Sequence, residues 1–158
     1  FKEIEVGFPA ASQTDYDFVR KIVDQKLIPD DVTVQVLCQA REDLIKRSCE
    51  SLSGAKNIIF HLYNSTSALQ RRVVFGMDKS QVIDLATSAT YMVKEHTDAL
   101  VKQGTNVTLE YSPESFSATE LDFSIEICSA VMNAWSPSVE DRIILNLPAT
   151  VEMSTPNV

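Results

Sequence analysis

The chain has 158 residues, with 14 Lys and Arg against 22 Asp and Glu, which gives a formal net charge of −8 and a pI near 4.7. This length predicts one domain with a real core, and 44% hydrophobic with 23% charged residues is typical of a globular rather than a disordered protein. The acidic balance argues against a general nucleic-acid binder, and no stretch approaches the roughly 20 apolar residues of a membrane span.

Five short β-branched or aromatic runs predict strands, in chain order at residues 4–6, 32–37, 57–62, 106–111 and 142–147. Helical spacing of apolar residues separates them. The stripe between the first two strands consists of Phe18, Val19, Ile22, Val23 and Leu27. The stripe between the next two consists of Leu44, Ile45, Cys49 and Leu52. The first three strands are therefore predicted to be joined by helices.

The second half of the chain continues this alternation. One helical stretch is predicted to run through Phe75 and a second over residues 80–101. Ser117 with Glu120 has the spacing of a capping box, which predicts a helix start between the last two strands. The residues that follow it at helical spacing are Leu121, Ile125, Cys128 and Met132.

Strict alternation of strands and helices predicts parallel strands joined by right-handed crossovers. Two architectures satisfy this order, an open doubly wound sheet and part of a (β/α)₈ barrel. No GxGxxG or GxxxxGK[ST] motif follows any of the runs, which disfavours a nucleotide-binding open sheet. A whole barrel takes ~250 residues. We therefore expect an α/β fold, a parallel TIM barrel of which this chain holds roughly five-eighths.

Polar side chains cluster where each predicted strand ends, and in a parallel barrel these ends form the active-site face. The rim residues of this kind are Glu5, Gln35, Gln39, His61, Tyr63, Asn64, Ser65, Glu110, Ser112, Glu114, Asn146, Thr150 and Glu152. A rim of hydrogen-bonding side chains indicates a small polar substrate.

The charged residues and the histidine also have purely structural interpretations. His61 is as well explained as a histidine of the barrel core. Glu5 and Glu110 fit inward charges that are paired within a core layer, and Glu114 fits a cap of the helix that follows it. The pair Arg71–Arg72 fits a solvated helix face.

Metal and thiol chemistry are poorly supported by the sequence. His61 is the only rim histidine, and no HxH or HExxH motif occurs. Glu110, Glu114 and Glu152 could hold a hard cation, but their spacing does not require one. The three cysteines form no CxxC pair and argue against a disulfide framework, and Cys38 is a nucleophile only in a formal sense. The residues alone therefore leave the reaction open.

Four longer segments carry a resemblance to a known family. They are residues 1–15 (FKEIEVGFPAASQTD), 61–75 (HLYNSTSALQRRVVF), 111–122 (YSPESFSATELD) and 146–158 (NLPATVEMSTPNV). In this order they resemble the second, fourth, fifth and sixth strand regions of the 2-isopropylmalate synthases. The resemblance covers essentially the whole chain, although Cys38 and Ala118 stand where the family pattern has Thr and Gly.

The resemblance implies an acyltransferase of leucine biosynthesis that condenses acetyl-CoA with 2-oxoisovalerate. A divalent metal (Zn, Mn or Mg) would polarise the ketone, and the deprotonated acetyl methyl would attack it before water hydrolyses the thioester. It also implies a homodimer in the cytoplasm of a bacterium or in the mitochondrial matrix of a fungus. Homocitrate and citramalate synthases are the nearest rivals within the same class, differing in the oxo acid.

The resemblance further implies which residues hold the oxo acid. Leu37 and Pro148 would line the pocket for its isopropyl group, and this aliphatic pair favours a branched apolar tail over a second carboxylate. His61, Asn146 and Thr150 would contact the oxo acid, with Thr150 as a partner of its carboxylate.

A second set of implied roles concerns the reacting centre. Ser112 and Glu114 would face it, with Glu114 helping to move the proton or to orient the acetyl group. Tyr63 would be a contact at the rim. Glu114 and His61 are therefore the candidate catalytic residues.

Several parts of the family pattern have no counterpart in residues 1–158. These are the first strand with its Arg-Asp pair, the seventh strand with its His-x-His metal ligands, the eighth strand and the leucine-sensing domain. We therefore expect a single partial barrel domain, a fragment of a longer chain, with no metal ligand of its own and no synthase activity in isolation. The alternative is a truncated paralogue that binds an oxo acid or a partner subunit without catalysis.

Overall fold

A computed structural model describes residues 1–152, so the end of the fourth resemblance segment, residues 153–158, lies outside the described residues. The strands are β1 (Glu3–Glu5), β2 (Thr33–Gln39), β3 (Asn57–Ser65), β4 (Asn106–Glu114) and β5 (Ile143–Leu145). The helices are α1 (Gln13–Asp24), α2 (Glu42–Ser51), α3 (Ala68–Gln70), α4 (Lys79–Lys102) and α5 (Leu121–Trp135). A π-helical turn, Arg71–Phe75, continues α3, and a 3₁₀ turn, Phe116–Ala118, precedes α5. None of the helices in the described part is long and apolar enough to cross a membrane.

The strand order decides between the two architectures that the sequence leaves open. All neighbouring strands are parallel, and their order in the sheet is β1-β2-β3-β4-β5. A doubly wound sheet reverses its order at a switch point, whereas here each crossover adds the next strand on the same side. Right-handed crossovers that never reverse place every helix on one face. The fold is therefore α/β and forms part of a TIM barrel, as predicted.

The face of the sheet that packs on the helices is apolar. Val36, Phe60, Leu62, Leu109 and Tyr111 are all fully buried there. The register aligns them in rows across neighbouring strands, with Val36 beside Phe60 and Phe60 beside Leu109. This face and the helices share one hydrophobic core, which fixes the sheet from one side only.

Local signals explain why two of the helices begin where they do. The Ser12 hydroxyl accepts a hydrogen bond from the Asp15 amide and caps α1. Asp78 and Gln81 form a reciprocal capping box at the start of α4.

The five predicted strands are present. β2 ends at Gln39 rather than Leu37, β5 covers only Ile143–Leu145, and the largest extensions are those of β3 and β4. β3 continues past Leu62 to Ser65, and β4 continues past Tyr111 to Glu114. The register pairs these extensions with each other, Tyr63 with Ser112 and Ser65 with Glu114. The polar residues at these two strand ends therefore belong to the strands themselves, where their directions are fixed by the pleat.

The predicted capping box at Ser117 and Glu120 is wrong. Ser117 lies in the 3₁₀ turn, and α5 begins only after Glu120. The Glu120 carboxylate instead accepts two hydrogen bonds from the Arg71 guanidinium, at 2.8 and 2.9 Å. A guanidinium fork matches both carboxylate oxygens and so competes successfully with the single amide of a cap.

The interpretation of Arg71 as part of a solvated face is also wrong, although Arg72 is exposed. Arg71 is buried, donates to the Thr66 carbonyl at 2.5 Å and lies over the Phe123 ring at 4.7 Å. It therefore joins the segment after β3 to the start of α5.

The apolar stripe predicted for α5 is only partly correct. Cys128 is buried, whereas Leu121 and Ile125 are each 70% exposed. Phe123, Ile127 and Val131, which the stripe leaves out, are fully buried. The helix is apolar over much of its circumference, so periodicity alone cannot select the buried side.

The stripe of α1 is only partly correct. Val19 and Val23 are buried, whereas Phe18 is exposed and Leu27 is an exposed residue beyond the end of the helix. The α1 contact with the core is therefore narrower than the spacing suggests.

Candidate active site on the inner face of the sheet

The face of the sheet opposite the helices is polar. Because side chains alternate along a strand, every residue between the buried apolar ones points to this inner face. The register aligns Leu37, His61 and Glu110 in one row, and Tyr63 with Ser112 in the next. The polar residues at the ends of the predicted strands therefore lie side by side.

A cavity of ≈ 220 Å³ opens at the carboxyl ends of the strands on this face. Its lining residues are Leu37, His61, Tyr63, Ser112, Glu114, Asn146, Pro148 and Thr150. The structure thus brings together all eight residues that the family resemblance implies as substrate contacts or catalytic groups. The roles assigned to them stay predictions.

His61 is the best-connected side chain of the cavity. Its Nδ1 lies 3.1 Å from Glu5 Oε2, and its Nε2 lies 2.6 Å from Ser112 Oγ and 3.4 Å from Glu110 Oε1. The Asn146 amide donates to the same Ser112 oxygen at 2.8 Å. Gln35 Nε2 also lies 3.0 Å from Nδ1, so both ring nitrogens contact neighbouring side chains. The imidazole is therefore held in one orientation.

The two carboxylates beside His61 differ in exposure. Glu110 is buried, whereas Glu5 lies at the exposed edge strand β1. Burial raises the pKa of Glu110, the positive imidazole opposes this rise, and the negative charges of Glu5 and Glu3 add to it. Both carboxylates contact the histidine, but only Glu110 is buried as a paired charge of a core layer would be; Glu5 is exposed.

The Thr150 side chain is held by a hydrogen bond from Ser115, a residue with an unusual backbone conformation. Ser115 has φ of 60°, in the left-handed region, and its amide donates to Thr150 Oγ1 at 2.9 Å. Among residues 1–152 the Thr150 hydroxyl accepts this hydrogen bond and donates none, so its proton is available to a ligand. Thr150 is exposed at the mouth of the cavity, so it can donate to an anionic group that enters.

The Glu114 carboxylate stands beside Tyr63 in the cavity. Burial, and secondly the negative charge of Glu114, raises the pKa of Tyr63. The phenol therefore remains neutral and can donate a hydrogen bond. One oxygen of Glu114, Oε2, accepts a hydrogen bond from Ser65 Oγ, and the backbone of Thr66 donates to the Glu114 carbonyl at 3.0 Å.

Cys38 is unsuited to nucleophilic chemistry. It is fully buried on the helix-facing side of the sheet, beside Leu62, and burial raises the pKa of its thiol to about 12. The reactive form of a cysteine is the thiolate, which is scarce at that pKa.

The described residues do not fit a complete metal site. Within residues 1–152, no group of three or more His, Cys, Asp or Glu side chains is arranged to hold a metal ion. The closest approach to such a group, formed by Glu5, His61 and Glu110, directs its donors at one another. Residues 1–152 therefore do not by themselves hold the divalent metal that the resemblance implies.

Ser65 is a polar contact of the site to which the sequence assigns no role. The sequence places it at the end of the third strand, but the apolar run was expected to stop at Leu62, so its face was not predicted. Once β3 is known to reach Ser65, the period of two places it on the inner face with His61 and Tyr63.

Known proteins match this chain over its whole length. A family model described as HMGL-like matches residues 1–158. Over all 158 residues, the chain is 58% identical to a protein of Parafrankia sp., 57% to one of Rhodospirillum rubrum and 56% to one of Clostridium acetobutylicum, each named 2-isopropylmalate synthase. The match covers 100% of this chain but 28% of each of these three relatives.

Proposed function

The chain belongs to the HMGL-like family, and we propose that it forms the oxo-acid-binding wall of a 2-isopropylmalate synthase. The observation that carries the proposal is the cavity itself. It combines an aliphatic pair, a hydroxyl donor, a fixed imidazole and a carboxylate within ≈ 220 Å³. Relatives of 56–58% identity that bear this enzyme's name support the choice of reaction.

The proposed substrate, 2-oxoisovalerate, has a carboxylate at one end and a branched apolar tail at the other. Thr150 donates to the carboxylate, because its oxygen already accepts from the Ser115 amide and its proton has no acceptor among residues 1–152. Leu37 and Pro148 line the same cavity and receive the isopropyl group. A second carboxylate placed there would lose its hydration without gaining a partner, which disfavours the oxo acids of homocitrate synthases.

The acetyl group of acetyl-CoA must lose a methyl proton before it can attack the ketone. We assign Glu114 to this proton movement, because its carboxylate lines the cavity and Oε1 is not the oxygen that accepts from Ser65. His61 contacts the oxo acid in the orientation set by Glu5 and Ser112. Asn146 is fixed through Ser112 and contacts the substrate from the neighbouring strand.

The remaining parts of the proposal concern the whole protein. The family resemblance attributes polarisation of the ketone to a divalent metal, and residues 1–152 do not fit that role by themselves. The segment alone is therefore expected to show no turnover. A homodimer, and a location in the cytoplasm or the mitochondrial matrix, also stay predictions.

The test is an assay of free CoA release by the whole protein that contains this chain. Acetyl-CoA is supplied with 2-oxoisovalerate, pyruvate or 2-oxoglutarate in parallel. We expect release that depends on the oxo acid and is highest with 2-oxoisovalerate. Saturable binding of 2-oxoisovalerate without any release would instead favour the non-catalytic paralogue, and preference for 2-oxoglutarate would contradict the assignment of Leu37 and Pro148.

Thr150 offers a matched pair of variants for the same assay. Thr150→Ala removes the hydroxyl, whereas Thr150→Ser keeps it and removes only a methyl. A hydrogen bond to a charged group contributes about 1.5–3 kcal/mol, so the KM for the oxo acid should rise about 10-fold or more in Thr150→Ala. Equal KM values in the two variants would contradict the carboxylate contact.

A further inference from the structure

Ser65 lies next to the proposed catalytic carboxylate but does not line the cavity. It is 8% exposed, at the last position of β3, and the register places it directly beside Glu114 at the last position of β4. Its hydroxyl donates to Glu114 Oε2. Because Oε2 is occupied in this way, Oε1 is the oxygen left for a ligand.

The backbone around this hydrogen bond is held from both sides. The Thr66 amide and hydroxyl lie 3.0 and 3.2 Å from the Glu114 carbonyl oxygen. The Thr66 hydroxyl also lies 2.8 Å from that of Thr119, which in turn donates to the Ser115 carbonyl at 2.9 Å. The ends of β3 and β4 therefore form one hydrogen-bonded unit, within which the Ser65 hydroxyl has a fixed direction.

The next layer outward fixes the same two segments. The buried Arg71 donates to the Thr66 carbonyl at 2.5 Å and to both carboxylate oxygens of Glu120. Thr66 follows Ser65 directly, and Glu120 is the N-cap residue of α5, the helix that follows Glu114. A carboxylate on a long, flexible side chain requires such support, because a misplacement of about 1 Å can cost about 100-fold in rate.

We propose that Ser65 is a positioning residue for Glu114. It turns Oε2 away from the cavity and presents Oε1 to the acetyl methyl group. The inference rests on the proposed function, since it assumes that Glu114 acts in proton movement. It predicts an effect on kcat with little effect on the KM for 2-oxoisovalerate, because the oxo-acid contacts at Leu37, Pro148 and Thr150 are separate.

The test uses Ser65→Ala in the whole protein, with Ser65→Thr as the variant that keeps a hydroxyl on a strand-compatible side chain. We expect kcat to fall about 10-fold or more in Ser65→Ala, in line with one lost hydrogen bond to a charged group, and to recover most of that loss in Ser65→Thr. Ser67→Ala is the matched control. Ser67 is also buried, but its hydroxyl hydrogen-bonds Gln70 rather than Glu114, so its kcat should change less than about 2-fold.

A double-mutant cycle with Glu114→Gln separates positioning from general support of the fold. We expect Ser65→Ala to lower kcat in the wild-type background and to change it less than about 2-fold in the Glu114→Gln background. Equal loss in both backgrounds would overturn the proposal. So would a rise in KM without a fall in kcat.

The free energy of unfolding in urea is also measured for the four proteins of this cycle. The inference about Ser65 and the proposed function can then fail independently of each other. A wild-type protein with no oxo-acid-dependent CoA release would overturn the proposed function. The Ser65 contact would then be judged by unfolding alone: non-additive stabilities of the two variants would support the hydrogen bond, and additive ones would overturn it.

Discussion

The two faces of the sheet use the same strands for opposite purposes. On the helix side, Phe60 and Leu62 are fully buried in a continuous apolar core. On the inner side, His61 lies between these two residues in the chain and contacts Glu5, Ser112 and Glu110. A single strand thus alternates between a residue that stabilises the fold and a residue that is placed for chemistry.

The difference between the faces explains why the site can be polar and still ordered. Apolar burial on the helix side is favourable without regard to direction. A buried polar group is favourable only when its partners are in place. The Glu5–His61–Ser112–Asn146 chain meets this condition with side chains from four different strands or strand ends. The rigid core therefore holds the backbone from one side while the hydrogen bonds orient the side chains on the other.

The largest expected effect is on the helix side. Phe60→Ala should lower the free energy of unfolding by about 3–5 kcal/mol, because it leaves a cavity in a fully buried position. The measurement is urea unfolding, followed by activity per folded molecule. We expect that activity to stay within about 3-fold of wild type. A large loss of activity in molecules that remain folded would show that the two faces are not separable.

The matching change on the inner side is His61→Ala. This change removes the central side chain of the hydrogen-bonded row Glu5–His61–Ser112–Asn146. It should lower kcat/KM by about 100-fold, at the lower end of the range for groups that assist proton transfer. The control is Gln35→Ala, since the Gln35 amide contacts both Glu5 and His61 but does not line the cavity. A loss in Gln35→Ala as large as that in His61→Ala would assign the effect to packing instead.

A smaller effect is expected where the two strand-end segments are joined. The Arg71 guanidinium lowers the pKa of Glu120 to about 2, first through its hydrogen bonds. Because this folded-state pKa lies below the ordinary value of 4.5, the ion pair stabilises the fold at neutral pH and is lost as the pH falls from 4.5 toward 2. Glu120 is partly exposed, so after solvent screening Glu120→Gln should cost about 1–2 kcal/mol at pH 7.

Unfolding of wild type and Glu120→Gln is compared between pH 7 and pH 3. The difference between the two proteins should shrink as the pH falls. A difference that is independent of pH would contradict the role of the charge. The control is Glu126→Gln, a change at an acidic residue within α5.

The smallest expected effect comes from Glu110. Burial raises its pKa, so the folded state binds more protons than the unfolded state in the window above the ordinary pKa of 4.5. Stability should therefore fall as the pH rises through that window, and Glu110→Gln should remove this fall. Unfolding across pH 4 to 8 should show a difference of about 1 kcal/mol or less. A steeper fall in the variant than in wild type would contradict the raised pKa of Glu110.

The sequence predicts the strands well because β-branched runs flanked by turns are a local signal. It does not predict their ends: β3 and β4 continue through Asn64–Ser65 and Pro113–Glu114 because each extension pairs with the other. That pairing depends on residues about 49 positions apart, which no local pattern contains. For this reason Ser65 is placed at a strand end but given no role, whereas its neighbours in the cavity are assigned one.

Most of the buried side of α5 and the role of Arg71 are mispredicted for related reasons. The helix carries apolar residues on several sides, and only the position of the sheet and of α4 decides that Phe123 rather than Ile125 is buried. Arg71 is buried because Glu120 and Phe123 lie where its charge and its planar face can be satisfied. The cavity residues, by contrast, are named from long phrases shared with a family, which carry tertiary information that spacing lacks.

The most direct test of the central claim is a crystal structure of the whole protein with 2-oxoisovalerate. We expect the carboxylate within hydrogen-bond distance of Thr150 Oγ1, the isopropyl group against Leu37 and Pro148, and Glu114 Oε1 directed at the reacting side. An oxo acid ordered at any other place, or with its tail turned away from Leu37 and Pro148, would contradict the inner face as the substrate site.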